Sequence, residues 1–187
     1  MANGNDVKVS KDVYVGKRCN PKPPPAPKNI IGQCEYYRWR YDNFKSRHID
    51  CGHEPPDYYL DYGEHYCCLF QNFLRSRLTD KGQQWLDKAK KNLQIAMEKG
   101  LILNPKVELN NEEFRKFAFA THADAYWNAG FHDIPILDKL LIGKTGMKEW
   151  CRRETWTQAG EVAMKDITAY FNEYCEFVSP DVWKYQY

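Results

Sequence analysis

The chain has 187 residues, enough for one domain with a sizeable core, and its 27 basic against 25 acidic side chains leave a formal net charge of +2. So near a balance gives no electrostatic case for nucleic acid or an anionic membrane surface as a partner. No stretch approaches the roughly 18 apolar residues of a transmembrane helix. The opening MANGNDVKVSKDVYVG lacks the basic region and apolar run of a signal peptide. The expectation is a protein that starts in the cytoplasm, with any export using a route without a cleaved leader.

In chain order, residues 1–33 read as an extended arm. Val7 to Val15 alternates, and this is where a strand is expected if there is one. Residues 21–27 then hold five prolines in seven positions, which force a polyproline-like spacer that lies on the domain or links it to something. From Cys34 to Tyr41 aromatic and basic residues interleave, which predicts rings packed under arginine stems ahead of a base-stacking surface. Cys51 to Asp57 reads as loop, and four of the 13 tyrosines follow between Tyr58 and Tyr66. Tyrosine-rich surfaces serve partner contact, although the plainer reading packs these rings into the core with the hydroxyls at its edge.

Helical periodicity starts near Glu64 and runs to Leu78 through Tyr66, Phe70, Phe73 and Leu74. A second helix is predicted from Asp80 to Gly100, with Trp85, Leu86, Ala89, Leu93, Ala96 and Met97 inward. Asp87, Lys88, Lys90, Lys91 and Gln94 form its outward face. The third is the best punctuated: Asn110 as N-cap, Glu113 three residues on as in a capping box, and Gly130 as a left-handed C-terminal residue. Its apolar face is Phe114, Phe117, Ala118, Thr121, Ala125 and Tyr126, with His122 on the edge. Pro135 opens a short helix, Ile136 to Ile142, that Gly143 closes, and Gly143 to Gly146 reads as loop. The GKT there is no phosphate loop, because Asp138 occupies the position of the required upstream glycine. A last helix is expected from about Gln158 to Val178, ended by Ser179-Pro180. The fold class is therefore all-α or mostly α: a compact bundle of four to five helices forming one domain over 34–187, with the proline-rich arm in front.

Two constellations carry possible chemistry. Cys51-x-His53 and His65-x-Cys67, with Cys68 beside them, supply the two thiolates and two imidazoles that tetrahedral zinc takes, so zinc is the candidate cofactor. Seven cysteines are many for a protein that stays in a reducing cytoplasm. Disulfides formed after export and plain burial of small thiols are the alternatives. The second constellation is His122, Asp124, His132 and Asp133, residue types that suit a carboxylate-oriented general base or a divalent ion for hydrolysis. The competing reading makes His122 a hydrogen-bonded helix-edge residue, Asp124 solvated and Asp133 a helix cap.

The segments Tyr62-Gly63-x-x-Tyr66-Cys67, Leu78-Thr79-x-x-Gly82-Gln83-x-Trp85-Leu86 and Phe117-Ala118-Phe119-x-Thr121-His122-x-x-Ala125-Tyr126-x-x-Ala129-Gly130 resemble a small bacterial effector family associated with type VI secretion, over about residues 28–145. The resemblance implies export without a signal peptide, loading onto a secretion tube or spike protein, and virulence-related action on a host protein; it implies no catalytic residues. The leading expectation is thus a secreted effector acting by protein binding. The alternatives are a metal-dependent hydrolase using the His/Asp constellation and a non-catalytic, immunity-like cytoplasmic protein.

Overall fold

A computed structural model describes residues 19–49 and 51–150. The alternating Val7–Val15 segment and the helix expected over Gln158–Val178, with Trp156, Cys151 and Cys175, lie outside the described residues. Within them the regular elements are α1 (Glu35–Arg47), α2 (His65–Leu69), α3 (Asp80–Leu103), α4 (Asn111–Ala120), α5 (His122–Asn128) and α6 (Ile136–Trp150). No strand occurs among the described residues, and the all-α expectation holds.

A buried face with arginines in it makes α1. Tyr36, Tyr37, Arg40, Phe44 and Arg47 all point inward, at steps of one, three and four that keep them on one side of the helix. The helical run around α2 starts earlier than its periodicity predicts, at Tyr58. Tyr58–Glu64 and Phe70–Leu74 are wound as π-helix on either side of α2, and Arg75–Arg77 is a 3-10 turn. Gly63 lies in the first wide segment with the Tyr37 ring against it, closer than any Cβ would permit.

α3 is the spine. Thr79 caps it, its hydroxyl accepting from Gly82 N at 3.3 Å; the helix starts at Asp80 as expected and runs past Gly100 to Leu103. Its first half packs Trp85, Leu86 and Ala89 against Leu74, Leu78, Ala129, Phe131, Ile134 and Ile142. Its second half packs Met97 and Leu101 with Tyr36, Tyr37, Tyr58, Tyr59, Phe114 and Ala118. Phe114 is fully enclosed beneath Tyr58 and Tyr59, a burial that contributes about 1.5–3 kcal/mol. The tyrosines of 36–37 and 58–59 are therefore core.

Three expectations need correcting. Gln94 is fully buried, not outward: its side-chain oxygen accepts from Gly32 N (2.6 Å) and its amide donates to Gln33 O (2.7 Å), pinning the turn before α1. The helix from Asn110 begins as expected, with the Asn110 side chain accepting from Glu113 N at 3.0 Å, but it breaks at Thr121 into α4 and α5, whose hydroxyl bonds back to Ala118 O. Gly130 ends α5 at φ +93°, as its position predicts. Finally, α6 runs through Gly143–Gly146 without a loop, because Ile142 and Gly143 are both buried against the bundle.

α6 also contributes the buried Asp138, which accepts from Thr79 N (3.1 Å) and from the Thr79 hydroxyl (2.5 Å) at the start of α3. A negative group suits that end of a helix. Gly82 lies so close that a Cβ there would overlap the Asp138 carboxylate. Gly82→Ala is therefore expected to destabilise by about 1–3 kcal/mol, as overpacking does, despite alanine's better helix propensity. A thermal melt decides: an unchanged or raised midpoint would show that Asp138 is free to leave.

Candidate functional site

The described arm, from Cys19 onward, lies along α1. Pro23 and Ala26 are its buried members, three residues apart as the polyproline repeat requires. A segment so short of backbone donors is best held by its carbonyls, and two arginines one heptad apart do this. Arg40 Nη1 donates to Pro24 O at 3.0 Å, and Arg47 Nη1 donates to Asn20 O at 3.0 Å and to Pro21 O at 3.3 Å. In return Asn20 N donates to Arg47 O.

Each arginine has its own carboxylate and tyrosine. Arg40 Nε donates to Glu98 Oε1 at 2.8 Å, its Nη2 pairs with the other oxygen, and the Tyr36 hydroxyl donates to Oε1 at 2.7 Å. Glu98 also accepts from Ala26 N of the arm at 2.9 Å. Arg47 Nη2 donates to Glu108 Oε2 at 2.6 Å, and Tyr59 OH donates to Oε1 at 2.5 Å. Burial, and then the adjacent carboxylates, push both phenols well up, so they stay protonated donors. Glu108 lies wholly inside, its side chain 0% exposed.

At the end of α1 the arm is latched. Cys19 pairs with Cys51 across a Cα–Cα distance of 5.8 Å, and Cys34 before α1 pairs with Cys67 of α2 at 5.5 Å. Beside the first bridge stands His48, 5% exposed, its ring 4.3 Å from the Phe44 ring and edge-on to His53 at 5.5 Å. Its Nε2 lies 3.4 Å from Arg47 Nη1, while its buried Nδ1 has no hydrogen-bond partner. Burial, with Arg47 and His53 nearby, lowers its pKa. The sulfurs of Cys19 and Cys51 and a His48 ring nitrogen lie within 4.8 Å of one another, a group that could hold a metal ion.

The predicted zinc set, Cys51, His53, His65 and Cys67, is not assembled. Cys51 and Cys67 are drawn into different bridges, and His65 is exposed on α2 with its ring edge-on to Tyr66. Cys68 is the free cysteine among the described residues, and burial followed by Glu64 and Glu35 raises its pKa, which suppresses the thiolate.

The predicted His/Asp constellation is likewise dispersed. His122 packs between Phe119 and Tyr126, with Nδ1 donating to Ala118 O at 3.0 Å. Asp124 is exposed on another side of α5. His132 and Asp133 pair with each other at 3.2 Å on the surface, and His132 stacks on Trp127. Burial lowers the His122 pKa to about 4, against a smaller upward pull from backbone hydrogen bonds. Between about pH 6.5 and 4 the unfolded chain takes up a proton that the folded ring refuses, so stability falls with pH across that window, by no more than about 3 kcal/mol. Denaturant midpoints at pH 7.5 and 4.5 should therefore differ more for the natural protein than for His122→Gln. Parallel losses would mean a solvated imidazole.

Large apolar side chains stay outside: Trp127 is 46% exposed, and Ile136 and Leu137 at the start of α6 are 63% and 69% exposed. No helix of the described residues is long and apolar enough to cross a membrane. Compared with family models, curated proteins and solved structures, the chain matches none.

Proposed function

We propose that this chain is a disulfide-stapled effector that works by binding another protein, exported by a type VI-like system into a host or target cell. A tube or spike protein of that system would be its first partner and a host protein its second. The observation that carries the reading is the pair of bridges, Cys19–Cys51 and Cys34–Cys67, that fasten the arm and α1. Disulfides of this kind persist in oxidising surroundings and not in a cytoplasm. Exposed Trp127, Ile136 and Leu137 supply the apolar and aromatic anchors that interfaces favour. The buried arginines, glutamates and tyrosines hold the arm, and His122 and His132 serve separate local partners. No observation favours the hydrolase reading over this one.

The test compares bacteria whose secretion machine works with bacteria whose tube cannot assemble. Protein in the medium of the first only, co-purifying with a tube or spike protein, is the expected result. Protein retained in both strains, with every thiol open to alkylation, would instead support an immunity-like cytoplasmic role.

A further inference from the structure

The geometry points to a redox-gated zinc site at the latch: once the Cys19–Cys51 bridge is reduced, the two thiolates and the His48 imidazole bind one Zn²⁺. The inference holds whether or not the protein is exported, since it rests only on the cluster itself.

Three observations converge on it. The donor atoms of Cys19, His48 and Cys51 already lie within 4.8 Å of one another. With Zn–S near 2.3 Å, a tetrahedral ion sets two sulfurs about 3.8 Å apart, so the thiolates need only part by side-chain rotation. His48 is buried with Nδ1 unpartnered, and a buried ring nitrogen without a partner calls for an explanation that a metal bond would give. Arg47 Nη1 also donates to Nε2 at 3.4 Å, but this is the longest of its three contacts, after Asn20 O and Pro21 O; metal binding at Nδ1 gives it up and puts the ring proton on Nε2. Two thiolates with imidazole form a soft, nitrogen-and-sulfur donor set of the kind zinc takes. Gly52, at φ +70°, turns the chain between Cys51 and His53, and the His53 ring meets His48 edge-on. The fourth position thus falls to His53 or to water.

The chemistry balances simply. Two thiol molecules of a low-molecular-weight reductant deliver two electrons and two protons to the bridge and leave as their own disulfide. Binding of Zn²⁺ by the two cysteines then releases two protons. The same arm is in this way fastened in either redox state, by sulfur–sulfur bonding when oxidised and by the ion when reduced.

The experiment uses the full chain, oxidised or reduced with a phosphine, and measures Zn²⁺ uptake by competition with a chromophoric chelator. One Zn²⁺ per reduced chain and none per oxidised chain is expected. His48→Ala should weaken the reduced chain's binding more than about tenfold, and Cys19→Ser with Cys51→Ser should abolish it. Cys34→Ser with Cys67→Ser, which removes the other bridge, should retain it. If reduction unfolds the chain, Zn²⁺ should restore helical circular dichroism to the natural protein and not to His48→Ala. The proposal is overturned by a reduced chain that takes up no Zn²⁺, by uptake that His48→Ala leaves unchanged, or by binding that follows Cys34 and Cys67.

Discussion

Glu108→Ala should lower the unfolding free energy of the oxidised protein by about 3–5 kcal/mol, the range for breaking a buried ion pair by removing one partner. Its carboxylate is fully enclosed and accepts from Arg47 and Tyr59 together. Without it the Arg47 guanidinium stays inside with no carboxylate, left with the arm carbonyls of Asn20 and Pro21, the Asn43 side chain and His48 Nε2 as neutral acceptors, and the Tyr59 hydroxyl loses its acceptor. A denaturant titration measures the effect. Changing Arg47→Met, Glu108→Leu and Tyr59→Phe together should recover most of the loss, because no charge or phenol is then left unpaired. A loss for Glu108→Ala below about 1 kcal/mol would place the pair in solvent-like surroundings. The exposed Arg38–Glu64 bridge, at 2.6 Å, is not expected to register in the same titration.

Replacing Cys34 and Cys67 together by alanine is the second large change. The bridge closes a loop with a sequence separation of 33, for which the chain-entropy argument gives about 4 kcal/mol. The loss should appear as a lower melting midpoint of the otherwise oxidised protein. Equal midpoints with and without the bridge would mean that α1 and the Tyr58–Leu74 segment hold together through packing alone. That packing is considerable, since Tyr36, Tyr37, Tyr58 and Tyr59 share one core with Met97 and Phe114.

Where local chemistry decides the backbone, the sequence is readable. Asn110 with Glu113, and Gly130 at the end of α5, are caps whose side chains or φ angles act within four residues. The apolar stripe of α3 is likewise complete in itself. Where tertiary pairing decides, it is not. α1 hides from a hydropathy reading because two of its five inward residues are arginines, made admissible only by Glu98 and Glu108 from distant segments. Gln94 looks like surface until Gly32 and Gln33 are brought to it. The break at Thr121 and the continuation of α6 through Gly143 follow from packing, against the local signals. At the latch, Cys51-x-His53 was visible as half of a metal-type motif. Its partners were not, for Cys19 lies 32 residues upstream across the arm and α1. His48 carries no motif spacing, although a histidine three residues before Cys51 was a signal that could have been used. The residues of the His122 constellation lie apart for a simpler reason, which is that residues two apart on a helix diverge, and His122 packs between Phe119 and Tyr126.

The most direct measurement is a disulfide map, by mass spectrometry of unreduced peptides, of the protein purified under non-reducing conditions. Cys19–Cys51 and Cys34–Cys67 should appear as linked peptides with Cys68 alkylated. Cys51 joined to Cys67, or all four of these cysteines alkylated, would contradict both the latch and the stapled arm.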